Sequence, residues 1–266
     1  MNYHICGISA HTETAGEMIQ RLYAHAPIVE AVIDIRTTFQ GGPSQERFRK
    51  FASALTQQLP VQTPMKVLEF GFQANDNQVR TDQSQVDMGF RLAREDGSRV
   101  LQVTEAGFAY SHLPPYSDWS TFRREALELW GTYKTECVPK SVGRVATRYV
   151  NKVNIPERGF DLSKYFNLSP GVPSAVGEDL TGYFMQVQVP LKQISAGAQS
   201  IVNFGISRSD ALDHVTVLLD FDLSLQTSLD IRSDEVWELL DAFRDKKNEM
   251  FEACITDATR RLIDET

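Results

Sequence analysis

The sequence has little that would staple a fold or announce a reaction. Cysteine occurs three times in 266 residues, at Cys6, Cys137 and Cys254, with no CxxC pair. An odd count at wide spacing excludes a disulfide framework and fits a reducing compartment, where each thiol reads as a small hydrophobe. No stretch approaches the roughly 18 consecutive apolar residues of a membrane span. The opening MNYHICGISAHTETAGEM lacks the basic and apolar regions of a secretion signal. The expectation is a soluble cytoplasmic protein, with no membrane partner.

Catalytic signatures are missing too. There is no GxxxxGK[ST], no GxGxxG after a strand, no GxSxG, no HExxH and no EF-hand loop. Basic charge is short, with 27 Lys and Arg against 35 Asp and Glu and a net charge of −8. That balance argues against nucleic acid as the main partner, since phosphate binding draws on clustered Lys and Arg. What the chain does have is 42% hydrophobic residues, ample for a core without staples.

Residues 1–26 read as an N-terminal lead-in with a short helix over Thr14–Ala24. His4, Cys6 and His11 invite a metal reading there, but the second ligand pair of a metal motif is absent. From Pro27 the hydrophobic period becomes two: Val29, Ala31, Ile33 and Ile35 share one face, and Glu30, Asp34 and Arg36 the other. Ser44 caps an amphipathic helix carrying Phe48, Phe51, Ala52 and Leu55. Three strands are expected next, centred on VLEFGFQ, VDMGFRLA and RVLQVTEAGFAYSHL, the last two joined by the turn signal EDGS. Asp118 then caps a helix striped with Trp119, Phe122, Ala126, Leu129, Trp130 and Tyr133.

The strand Ser141–Ile155 restarts the pattern. Val145, Thr147, Tyr149, Asn151 and Val153 form a dry face, and Arg144, Arg148, Lys152 and Asn154 a wet one. A short helix capped by Asp161, strands at GYFMQVQVPL, QSIVNFGIS and HVTVLLDFDLSLQT, and one long helix from Ser233 or Asp234 complete the second run. Its apolar stripe extends from Trp237 to Leu262. The fold class expected is α+β: antiparallel sheet from a duplicated β-α-β-β-β-α unit, with long amphipathic helices packed on one face. The halves are 27–139 and 140–266, as one compact unit or two pseudo-repeats.

Candidate functional residues follow from the faces. The wet face gathers Glu30, Asp34, Arg36, Arg91, Arg148, Lys152, Gln186, Gln188, Asp220 and Asp222, a mixture suited to a polar partner and equally to a solvated surface. Asp220 and Asp222 are the best carboxylate pair for a metal, yet any alternating strand with a wet face produces DxD. His112 and His214 adjoin strand ends with no nucleophile at motif distance. Asn151 is a lone amide on a dry face and needs a partner there.

Three segments, PIVEAVIDIR at 27–36, LPPYSDWSTF at 113–122 and RVATRYVNKVNIP at 144–156, resemble a sporadically distributed family of prokaryotic proteins of unknown function. The resemblance covers most of 27–265 and carries over Glu30, Pro115, Tyr116, Trp119, Arg148, Tyr149 and Asn151. It implies no activity, and the patchy occurrence implies a defence or toxin–antitoxin-like operon. The first expectation is a non-catalytic binding or regulatory protein acting through a protein partner, with no cofactor, with Glu30, Arg36, Arg148 and Asn151 as binding candidates. Self-association is compatible with it. The second is a small-ligand binder or enzyme with a pocket between sheet and helix, using Arg148 for an anion and Asn151 for orientation.

Overall fold

Alternation decides the centre of the molecule. In the computed structural model, which describes residues 23–75, 78–156, 161–168, 182–207 and 214–265, Ile28–Thr38 forms strand β1 with Ala31, Ile33, Ile35 and Thr37 buried. Ser141–Ile155 forms β6, with Val145, Thr147, Tyr149, Asn151 and Val153 buried on the same side. The two pair antiparallel, Ile33 opposite Thr147 and Ala31 opposite Tyr149. Matching faces make one dry surface from two segments more than 100 residues apart.

Around this pair the chain order is β1, helix α1 (Gln45–Ala54), β2 (Val61–Asn75), β3 (Gln78–Ala93), β4 (Arg99–Thr104), β5 (Gly107–His112), α2 (Trp119–Cys137) and β6. It continues with α3 (Leu162–Tyr165), β7 (Phe184–Pro190), β8 (Gln199–Ser207), β9 (Val215–Asp230), α4 (Glu235–Cys254) and α5 (Asp257–Glu265). Among the described residues the nine strands join one antiparallel sheet in the order β2-β3-β4-β5-β1-β6-β9-β8-β7.

Two element boundaries differ from the sequence reading. RVLQVTEAGFAYSHL is two strands, so four strands rather than three follow α1. The turn at Glu105–Ala106 needs Gly107, whose φ is 137° and whose missing Cβ would lie 2.3 Å from the Ile35 carbonyl oxygen. Nothing in TEAG resembles the usual two-residue hairpin signals. The final helix is also two: Ile255 is extended and bridges Phe166, and Thr256 and Thr259 donate to the carbonyls of Lys164 and Tyr165. The short α3 segment therefore docks in the break, and a stripe that reads as continuous is bent there.

The capping residues act as expected at three sites, where Ser44 accepts from Arg47 N, Asp118 from Thr121 N and Asp161 from Ser163 N. At α4 the cap falls to Ser233, whose Oγ accepts from Glu235 N; Asp234 makes no side-chain cap bond.

Side chains of α2 and α4 contact buried side chains of the sheet. Phe108 of β5 meets Trp130 and Tyr133 edge-on, Tyr110 stacks on Phe122, and Lys247 of α4 lies over Tyr149 of β6. The two helices are also tied to each other. Asp241 accepts from Trp119 Nε1 at 2.7 Å and twice from Arg123 Nε at 3.0 Å, and the Arg123 guanidinium lies over the Trp237 ring. No described helix is long and apolar enough to cross a membrane.

Candidate functional site

The outer sheet face carries an ordered lattice of charge. Arg148 of β6 clamps Asp220 of β9 with Nε at 2.9 Å and Nη2 at 2.7 Å from its two oxygens. Asn203 of β8 donates to the same carboxylate at 2.9 Å, and Gln186 of β7 donates to Asn203 at 2.7 Å. Beside this row, Arg144 bonds Asp34 and reaches Asp222 at 3.4 Å, while Arg36 approaches Asp34 at 3.8 Å. Glu30 lies within electrostatic reach of Arg148.

Strand pairing explains the lattice, because Arg148 opposes Asp222 and Val150 opposes Asp220, so each arginine reaches carboxylates on β9. The DxD carboxylates consequently diverge, Asp220 toward Arg148 and Asp222 toward Arg144. Among the described residues no group of three His, Cys, Asp or Glu is placed to hold a metal ion. Burial pushes the Asp222 carboxyl up from its ordinary range, opposed by Arg144 and Arg148.

An exposed ion pair contributes only about 0–1 kcal/mol, but the pair here is unequal: the Arg148 side chain is 49% exposed and that of Asp220 only 8%. Deleting the guanidinium strands a buried carboxylate, so Arg148 is not a freely replaceable surface residue.

The inner face holds a second set, and here the segments LPPY and RYVN meet. The Pro115 carbonyl, after a cis Pro114–Pro115 bond, pairs with His112 Nε2 at 3.1 Å. The Tyr116 ring lies against His112 at 4.8 Å and edge-on to Tyr149 at 6.2 Å. Asn151 Nδ2 donates to the Leu219 carbonyl of β9 at 2.9 Å. Its partner is thus a neighbouring strand, where a loop would be the simpler expectation for an amide on a dry face.

Arg148 and Asn151 stand on opposite faces, so no single small-molecule pocket holds both. His214 is half-buried with no hydrogen-bond partner for Nδ1 among the described atoms. His4, Cys6 and His11 lie outside the described residues.

Buried polar atoms without a hydrogen-bond partner among the described residues include His112 Nδ1, the Tyr149 hydroxyl, the Tyr183 hydroxyl and Ser200 Oγ. Lys247 is 7% exposed, and its amine lies 4.2 Å from the Tyr149 ring. Burial pulls His112 down to about 4 and holds the Tyr149 hydroxyl protonated. Burial, reinforced by Arg244 and opposed by Glu252, brings Lys247 down to about 7. Sequence reasoning passed over Lys247. The signal was present in the spacing, because Leu240, Phe243, Lys247 and Phe251 recur at helical intervals and put a lysine on the apolar stripe.

No protein-family model matches the chain, and no curated protein matches it.

Asn151→Ala leaves the Leu219 carbonyl without the side-chain amide and is expected to cost about 1–3 kcal/mol in chemical denaturation. Lys247 yields a pH signature. Its folded value is depressed, so above about 7 and below its ordinary 10.5 the unfolded chain binds more protons and stability rises with pH. Lys247→Met should remove that rise relative to wild type when unfolding free energies are measured across the interval. Parallel curves for the two proteins would mean that the amine is solvated.

Proposed function

We propose that the protein is a non-catalytic binding or regulatory module whose outer sheet face docks a protein partner. The observation that carries this reading is an aromatic anchor beside a preset polar array. Phe184, on edge strand β7, is 71% exposed and lies over Gly205, on the same face as Gln186, Asn203 and the Arg148–Asp220 clamp. An exposed aromatic flanked by polar groups already held in place has the make-up of an interface hot spot with its rim. Side chains fixed before binding lose less conformational entropy on docking.

The mixed charge favours a partner with both signs on its surface, and Arg36 and Arg148 offer guanidinium groups to its carboxylates. A defence or toxin–antitoxin-like operon, the setting that the resemblance implies, would place the partner among the products of neighbouring genes.

We infer further that the chain is a duplicated unit. The central β1–β6 pair is flanked by β5 and β4 on one side and by β9 and β8 on the other, which supports that reading. In it β3 corresponds to β7, and β2 is the addition to the first half. Superposing 28–137 on 141–254 should lay β1 on β6, and a best fit that offsets them would sink the idea.

Docking is tested by isolating a stoichiometric complex from the native host and repeating the isolation with Phe184→Ala and with the double variant Arg148→Ala, Asp220→Asn. The second change in the pair spares the protein an unpaired buried carboxylate. Phe184→Ala should keep wild-type stability within the scatter of surface substitutions, about 0.5 kcal/mol, the double variant should remain folded with a cooperative melt, and both should lose the partner by tenfold or more in affinity, about 1.4 kcal/mol. Retention of the partner by both would remove the outer face as the docking surface.

A further inference from the structure

We propose that Lys247 is the nucleophile of a small-molecule site on the inner face, where its amine condenses with a compact carbonyl compound to form an imine. This goes beyond docking, since it uses the opposite side of the sheet.

Three independent features converge there. The amine sits on the core-facing stripe of α4 between Phe243 and Phe251 in a residue only 7% exposed, and among the described residues no ion pair to a carboxylate is made by it. It is held 4.2 Å over the Tyr149 ring, a residue whose buried hydroxyl lies near the Tyr116 and Thr147 side chains without a well-formed hydrogen bond to either. The Tyr149 ring is in turn in edge contact with Tyr116, and Tyr116 with His112, whose Nδ1 lacks a hydrogen-bond partner too. A lysine kept only for packing would be better served by methionine. A buried hydroxyl and a buried imidazole nitrogen each carry a desolvation cost unless something meets them.

The chemistry these groups allow is specific. An amine desolvated in an apolar setting keeps its lone pair and attacks a carbonyl carbon, as activated lysines do. The C–N bond forms as the carbonyl π pair moves to oxygen, and the proton lost by nitrogen passes to that oxygen, giving a carbinolamine. Expulsion of the hydroxyl as water, with a proton from the Tyr149 hydroxyl, gives the imine. The proton that nitrogen sheds in this second step returns to the tyrosine. Atoms balance as amine plus carbonyl to imine plus water, and no oxidant or reductant is used. Tyr149 stays protonated at neutral pH and so can donate. The low value of Lys247, set by burial and by Arg244 against Glu252 on its own helix, leaves a large neutral fraction at that pH.

The adjacent residue supplies a control in the same peptide, since Lys246 bonds Glu249 at 2.7 Å and faces outward. The full chain is incubated at neutral pH with formaldehyde or with pyruvate in the presence of cyanoborohydride, which reduces an imine to a stable secondary amine, and each lysine is quantified by peptide mass spectrometry. The expectation is labelling at Lys247 at least about tenfold faster than at Lys246, with a rate that climbs to a plateau as pH passes about 7. Lys247→Met should abolish the fast phase. Tyr149→Phe, which removes the hydroxyl alone, should slow it severalfold with an unchanged far-ultraviolet circular dichroism spectrum. Lys247 labelled no faster than Lys246 with both probes overturns the proposal. So does a fast phase that Tyr149→Phe leaves untouched, because a lysine reached only through transient opening would not depend on that hydroxyl.

Discussion

Everything in this molecule depends on the register of β1 against β6. With Ile33 opposite Thr147 and Ala31 opposite Tyr149, the apolar residues of both strands point to one side and Asp34, Arg144 and Arg148 to the other. A slip of one residue would carry those charges into the core and the isoleucines into water. Thr147 reinforces the register from within: fully buried, its hydroxyl donates across the pair to the Val32 carbonyl at 2.9 Å. From this pair the sheet extends outward, and helices α2 and α4 find an apolar surface on one side alone.

The two faces treat polar groups in opposite ways. Outside, carboxylates and guanidinium groups answer one another across neighbouring strands, and the array holds itself in place while remaining open to a partner. Inside, Asn151 and Thr147 are met by backbone carbonyls, but the Tyr149 hydroxyl and His112 Nδ1 make no well-formed hydrogen bond to a described residue, and Lys247 is set against the Tyr149 ring. A dry polar group without a partner costs about 1–3 kcal/mol. The outer carboxylates are each answered by a guanidinium, and the inner seam is the place where folding alone gives no reason for the residues present.

The resemblance-bearing residues divide along the same line. On the inner side the Pro115 carbonyl and the Tyr116 ring meet His112, Tyr116 is edge-on to Tyr149, Asn151 bonds the Leu219 carbonyl, and Trp119 ties α2 to α4 through Asp241. Glu30 and Arg148 belong to the outer face. A single motif, R-Y-V-N at 148–151, thus serves both faces, because adjacent residues on a strand point to opposite sides.

Much of this was legible without coordinates. Period-two alternation in 28–38 and 141–155 specified both strands and their dry faces, Ser44 and Asp118 marked two helix starts, and the polar set of the outer face was gathered from alternation alone. These are local properties, carried by side-chain direction and by capping chemistry within a few residues. Tertiary structure decided what locality leaves open. The break at Ile255 depends on the distant α3 segment docking there, and the turn before Gly107 depends on close approach to Ile35. The divergence of Asp220 and Asp222 depends on two arginines of β6. The isolation of Lys247 depends on Tyr149, nearly 100 residues away, because whether a lysine on an apolar stripe reaches water or stays buried is settled by what packs over it.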